Sequence, residues 1–177
     1  MEFRVPVPMK DNLFREDYFA CPIYWMDKPE WVKKLNKASD PYIKAAAKSN
    51  KKIINERTKK HGDKGDHGMV HHSTTLIGDP KFKDLQNWII STAWNLLDQQ
   101  GFDLSRHQLF LTELWVQEFS HLGGGHHTLH THWNGHMSGF YFLKASDITS
   151  RPVFEDPRPG RCMNLLPEKD KNKVTLA

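Results

Sequence analysis

The hydrophobic pattern of the chain changes near Gln108, and this change restricts the fold more than any other feature of the sequence. Before Gln108, apolar residues recur at helical spacing. After it, the segments 109–119, 137–144 and 152–154 are rich in Leu, Phe, Trp, Tyr and Val, a composition typical of strands. Helices followed by strands predict an α+β fold in which a helical layer packs on an antiparallel sheet.

The first predicted helical region covers residues 29–60. Pro29 suits a first helical turn, and Asp27 is a candidate cap for it. The tripeptide Ser39-Asp40-Pro41 is expected to interrupt this region, because proline lacks the backbone N–H that a helix interior needs. A second helical piece is predicted to follow it.

The clearest helix is predicted to begin at Asp79-Pro80 and to end at Gly101. Asp79 fits the N-cap position and Pro80 the first helical position. The glycine supplies a stop. Apolar residues recur on one face, which is expected to pack on a sheet: Phe82, Leu85, Trp88, Ile89, Leu96 and Leu97.

The length and composition indicate one intracellular domain. A chain of 177 residues can bury one core. Its cysteines, Cys21 and Cys162, form no metal or disulfide motif, so a reducing compartment is expected. Residues 1–10 lack the apolar core of a signal peptide, and no apolar stretch approaches the ~18 residues of a membrane span.

The basic residues are concentrated in one region. The formal net charge is +4, but residues 28–64 alone contain twelve Lys or Arg against four Asp or Glu. Such a region can bind nucleic acid or another polyanion. It can equally be a solvated helix face, and the sequence does not decide between these two interpretations.

The histidines indicate metal chemistry. Six of the eleven lie between His121 and His136. The pair His130 and His132 is the informative one, because residues i and i+2 of a strand point to the same side and two imidazoles can then share one ion. The competing interpretation is a histidine-rich surface loop.

Neighbouring polar residues can support such a site. Asn134 and Ser138 are candidates for orienting the ligands. His127 is a candidate for a supporting role behind the ligands, or a simple loop residue. His136 is a candidate for the same role or for a third ligand. His67, His71 and His72 lie in the segment 61–78, which is predicted to be a loop.

Two motifs resemble the 2-oxoglutarate/Fe(II) oxygenase family that is common in marine cyanobacterial phages and bacteria. They are Gly125-x4-His130-x-His132-x5-Ser138-Gly139-Phe140-Tyr141-Phe142-Leu143 and Phe154-x-Asp156-Pro157-Arg158. The resemblance implies a double-stranded β-helix (jelly roll) with the N-terminal helices backing its sheet. It also implies an Fe(II) ion that uses 2-oxoglutarate and O2 to hydroxylate a substrate. The implied pocket residues are Asn134, Ser138, Tyr141 and Arg158.

The chain departs from the family pattern in two places. His132 stands where the wider superfamily has a carboxylate, and no histidine follows Arg158 to act as the distal ligand. The C-terminal strands are therefore expected to be missing, so the chain is either a piece of a longer protein or has lost half of the site. On this interpretation one domain spans residues 1–177, with a helical N-terminal region over residues 1–107, core strands with the metal motif over residues 108–160, and a polar tail over residues 161–177.

Two alternatives stay open beside the dioxygenase. A cupin-like metalloprotein is indicated by Gly124, His130 and His132, with His136 near the place of the usual carboxylate. A non-catalytic phage structural or interaction protein is indicated by the missing distal histidine. The partner is expected to be a small-molecule or macromolecular substrate, a phage protein, or a second copy paired through an open sheet edge. The expected location is the cytoplasm, that of the host for a phage protein, or the virion.

Overall fold

The structure, a computed structural model, describes residues 21–62, 65–132, 135–145, 147, 149 and 151–154. Short 3-10 turns at Pro29–Trp31 and Pro80–Phe82 lead directly into the two helices. The regular elements, in chain order, are α1 (Val32–His61), β1 (Val70–His72), α2 (Lys83–Gln99) and β2 (Gln117–Phe119).

Helix α1 continues through Pro41, so the predicted interruption at Ser39-Asp40-Pro41 is wrong. Proline costs the helix one backbone hydrogen bond, but tertiary packing holds the chain on both sides of it. Leu35 is buried before it, and Tyr42 after it meets the Phe82 ring edge-on at 6.0 Å between ring centres. The predicted cap at Asp27 is also wrong, because Lys28 precedes the first turn and makes no side-chain cap bond.

The start and end of the second helix are confirmed. The backbone N–H of Lys81 donates to Asp79 Oδ1 at 2.8 Å, which satisfies one of the unpaired N–H groups at a helix start. Gly101 follows α2 with a φ of 92°, in the left-handed region that glycine adopts without steric cost.

Asp79 also links the two helices, which makes its charge important at low pH. The Tyr42 hydroxyl donates to Asp79 Oδ2, and this bond, followed by the Lys81 N–H, holds the pKa of Asp79 below its usual value. A carboxylate with a lowered pKa stabilises the folded protein fully at pH values above its pKa in the unfolded chain, about 3.9. This stabilisation is lost as the pH falls through the pKa of the folded protein.

Asp79→Asn is therefore expected to flatten the acid limb of the stability curve. The measurement is the urea midpoint of unfolding between about pH 6 and about pH 3, which should fall more steeply for the wild type than for the variant. The matched control is Glu113→Gln, which removes an exposed carboxylate and should leave the wild-type slope in place. Equal slopes for the wild type and Asp79→Asn would contradict this role.

The hydrophobic core lies between the helices and the segments that cross them. Its buried members are Leu35, Leu76, Phe82 and Leu85. Half-buried apolar side chains pack around these four: Trp31, Ala38, Tyr42, Trp88, Ile89, Leu114, Val116, Tyr141 and Leu143. The two tryptophans meet edge to face, with ring centres 5.6 Å apart.

The two strands form one antiparallel pair, with Val70 opposite Phe119 and His72 opposite Gln117. Backbone hydrogen bonds continue beyond this short ladder. The N–H of Ser73 donates to the carbonyl of Val116 at 2.9 Å, and further along Leu76 donates to Leu114 at 2.7 Å. The segment after β1 is therefore held alongside the segment before β2.

The predicted α+β jelly roll is wrong for the described residues, which are helix-rich and contain only this two-stranded sheet. Of the expected strands at 109–119, 137–144 and 152–154, only Gln117–Phe119 is a strand. Within 137–144, Tyr141 and Leu143 pack on the core, whereas Phe140 and Phe142 are exposed. An apolar run that suggested a strand buried in a sheet is thus an extended segment with one face on the helices.

Neither helix of the described residues carries the long apolar stretch that crossing a bilayer would require. The segment 161–177, predicted to be a polar tail, lies outside the described residues.

Candidate functional site

A glycine turn after β2 brings the histidine-rich segment back against the sheet. Gly123 and Gly124 have φ values of 81° and 75°, and the carbonyl of Gly123 accepts from the N–H of Gly68 at 2.8 Å. A Cβ at residue 124 would lie 2.5 Å from the ring of His67. The positive φ therefore favours glycine there, and any larger residue would also have to displace the exposed His67 ring.

The turn aligns five rings from β1 to the loop. His72 lies against Trp115 with ring centres 4.3 Å apart, and Trp115 is followed by His127 at 6.3 Å. His130 lies 5.8 Å from His127, and His132 lies 5.1 Å from His130. We call the four imidazoles His72, His127, His130 and His132 the histidine row.

Backbone carbonyls fix the tautomers of two members of the row. Nδ1 of His72 lies 2.8 Å from the carbonyl oxygen of Ser73, and Nδ1 of His130 lies 2.7 Å from that of Thr128. Because a carbonyl oxygen only accepts hydrogen bonds, each Nδ1 must carry the proton, and each Nε2 keeps its lone pair in the neutral ring. Metal-binding histidines are oriented by such bonds from the ring nitrogen that does not bind the ion.

A side chain of the sheet sets the tautomer of His127. Its Nε2 lies 2.6 Å from Oε1 of Gln117 on β2, so Nε2 donates and Nδ1 is left with the lone pair. Burial lowers the pKa of His127, and the nearby His130, His72 and His126 lower it further. A neutral imidazole is the form that binds a metal.

The spacing of His130 and His132 fits two ligands of one ion. A metal about 2.1 Å from an imidazole nitrogen lies about 3.2 Å from the ring centre, so two such rings at tetrahedral-like angles stand about 5 Å apart. The observed separation is 5.1 Å, and both side chains are exposed. In the portion of the chain that the structure describes, no three His, Cys, Asp or Glu side chains are arranged to hold one ion together. The separation of the two rings therefore allows a shared ion, and it is equally that of the edge-to-face contact which the rings make with each other.

The structure places the other predicted site residues in different surroundings. Ser138 and His136 are exposed. Tyr141 is half-buried on the helical core, and its hydroxyl donates to a backbone carbonyl just before α1. Asn134 and Arg158 lie outside the described residues.

Two histidines were missed by sequence reasoning. His71 and His72 were predicted to be loop residues, but they lie on β1. Adjacent residues of a strand point to opposite faces, so one ring turns inward and the other outward. Residues 70–72 contain one apolar residue beside two histidines, too short a run to be recognised as a strand without its partner β2.

His71 is the centre of a buried polar network that holds β1 on α1. It is 8% exposed, and its Nδ1 accepts from Asn50 Nδ2 at 3.1 Å. Its Nε2 lies 3.6 Å from Asp66 Oδ1, and Asp66 Oδ2 accepts from the Ser120 hydroxyl at 2.8 Å. We call these four residues the His71 network. It joins α1 to β1 and to the end of the strand pair at which Val70 lies opposite Phe119, and it thereby positions the adjacent His72.

No protein-family model, curated protein or solved structure matches this chain.

Proposed function

We propose that the chain binds Fe(II) through His130 and His132 and acts, with 2-oxoglutarate, in the oxidation of an organic substrate. The observation that carries this proposal is the geometry of His130. Its Nδ1–H is engaged by the carbonyl of Thr128, and its ring centre lies 5.1 Å from that of His132. Nε2 is thus the ring nitrogen whose lone pair can bind an ion.

The oxidation chemistry comes from the family resemblance in the sequence, whereas the residues supply binding and orientation. Fe(II) with 2-oxoglutarate and O2 supplies the oxidation of a C–H bond in that family. In this chain, the Thr128 carbonyl fixes the ring plane of His130. Gln117 fixes His127 beside it. The half-buried Trp115 packs between His72 and His127 and fixes the spacing of these two rings.

The test is anaerobic titration of the full chain with Fe(II), with and without 2-oxoglutarate. The wild type should bind about one equivalent and, with 2-oxoglutarate, develop the visible charge-transfer band of the chelate. His130→Ala and His132→Ala should each weaken metal binding by about tenfold or more, because each removes one of two imidazole ligands.

The matched control is His121→Ala. Its side chain is 87% exposed, and it belongs to the same histidine-rich segment but not to the histidine row. It should bind iron as the wild type does. Equal losses in His121→Ala and His130→Ala would show adventitious binding by a histidine-rich surface, and the proposal would then be wrong.

A second candidate, a non-catalytic interaction protein, is favoured by an exposed aromatic group. Phe140 lies 5.2 Å from Phe142 and 6.3 Å from Phe154 between ring centres. All three side chains are exposed. A chain that binds no iron in the titration would favour this candidate over the oxidation proposal.

A further inference from the structure

Helix α1 has a net positive charge larger than that of the whole chain. It contains ten Lys or Arg against two Asp or Glu, a formal charge of +8. The whole chain carries +4, so the residues outside α1 sum to −4. The lysines of α1 do not belong to the histidine row, and the proposed oxidation gives them no role.

The lysines lie on one face of the helix. At about 100° per residue, eight of the nine lysines, all except Lys60, fall within an arc of about 100°. All eight are exposed. The packed face lies on the opposite side, where Leu35 and Ser39 are buried and where Asn50 binds the backbone of β1. We call this arc of eight lysines the lysine face.

The lysine face is long and largely unneutralised. Lys33 and Lys59 lie about 39 Å apart along the axis at about 1.5 Å per residue. Two of the eight are paired, Lys44 with Asp40 at 2.6 Å and Lys34 with Asp84 at 2.5 Å. The other six form no ion pair with residues that the structure describes.

The chemistry of this face favours a phosphate backbone over a lipid surface. A membrane-surface helix buries an apolar face beside its basic one. In α1 the apolar side is packed on the protein around Leu35 and Tyr42, with Ile53 as its one exposed large apolar side chain, and the lysine face carries Pro41 and Asn55 between its lysines. A nucleic-acid duplex presents one charge per about 1.7 Å, so a row of about 39 Å matches about 11 base pairs.

We propose that the lysine face of α1 binds the phosphate backbone of a nucleic-acid duplex, independently of base sequence. Lysine ammonium groups bind phosphates as point charges, and such contacts do not distinguish one base from another. Binding then draws its free energy from the release of counterions, and it must weaken steeply with salt.

The experiment measures binding of the full chain to a fluorescent 24-base-pair DNA duplex of arbitrary sequence between about 50 and about 200 mM salt. With six unpaired lysines engaged, the slope of log affinity against log salt should be about −5. Lys37→Gln, Lys48→Gln and Lys51→Gln together should weaken binding by about tenfold or more and reduce the slope by about 3. Glutamine keeps a helix propensity close to that of lysine, and a matching thermal unfolding curve confirms that the variant is folded.

The matched control removes three equally exposed positive charges elsewhere, with Lys60→Gln, Arg106→Gln and Lys144→Gln. It should bind the duplex within about twofold of the wild type if the lysine face is the site. Equal weakening of both variants would show a net-charge effect and overturn the proposal. Binding to phosphatidylserine vesicles but not to the duplex would overturn it in favour of a lipid surface. Tighter binding to the single strand than to the duplex would overturn the choice of a duplex.

Discussion

Phe82→Ala is expected to lower the free energy of unfolding by about 3–5 kcal/mol, the largest effect of any single change described for this chain. Phe82 is 2% exposed and is the largest fully buried side chain among the described residues. It packs with Leu35, Leu76 and Leu85, and its ring meets Tyr42 of α1 edge-on. Truncation leaves a cavity at the point where both helices meet.

The measurement is urea unfolding followed by circular dichroism. Phe110→Ala is the matched control, because Phe110 is 77% exposed and its truncation should change the free energy of unfolding by less than about 0.5 kcal/mol. A domain of this size is stable by about 5–15 kcal/mol, so Phe82→Ala can leave it unfolded. Phe82→Leu, with an expected loss of about 1 kcal/mol, then provides a folded variant for the comparison. Equal losses for Phe82→Ala and Phe110→Ala would contradict the assigned core.

His71→Ala is expected to cost about 2 kcal/mol, because it removes a buried side chain and the contacts of both ring nitrogens, although Asn50 Nδ2 keeps its bond to the Val70 carbonyl. Asn50 Nδ2 loses its acceptor in the ring, and Asp66 Oδ1 loses the imidazole 3.6 Å away. Asp66 Oδ1 is already buried without a hydrogen bond, so the ring is its nearest counter-group in the described contacts. The Asp66 side chain is 30% exposed, and solvent screening keeps the effect below that of a fully buried ion pair.

Urea unfolding near neutral pH measures this effect, and His121→Ala is the control with the same chemistry at an 87% exposed position. Amide hydrogen exchange adds a local readout. The N–H of Ser120 donates to the Met69 carbonyl and that of Ser73 to the Val116 carbonyl, and both should exchange faster in His71→Ala. Unchanged exchange at both amides would show that the His71 network does not hold the strand pair.

Local signals in the sequence correctly predicted the second helix. A cap side chain, a proline at the first position and a closing glycine each act within a few residues of the helix end that they mark, so Asp79, Pro80 and Gly101 could be recognised without the fold. The apolar spacing also identified Phe82, Leu85 and Leu97, which are all buried.

The errors occurred where a non-local interaction decides the outcome. Pro41 was expected to break α1, but packing of Leu35 and Tyr42 on either side holds the helix together. The run 137–144 was expected to be a core strand of a jelly roll, but its apolar residues are divided between the helical core and the exposed surface. Composition describes what a segment contains and not the element against which it packs.

The candidate site also has features that the sequence shows and features that depend on contacts between distant segments. The concentration of histidines around His130 and His132, and that of lysines between residues 33 and 60, are visible in the sequence alone. The common face of the lysines depends on α1 continuing through Pro41, and the expected strand at His130 and His132 is wrong, because residues 130–132 form no strand. Only the tertiary structure brings His72 onto Trp115 and turns His71 inward, because these contacts depend on β1 pairing with β2 across the intervening helix. Which distant segments pair depends on how the apolar residues of the whole chain become buried, so a short stretch of sequence does not reveal it.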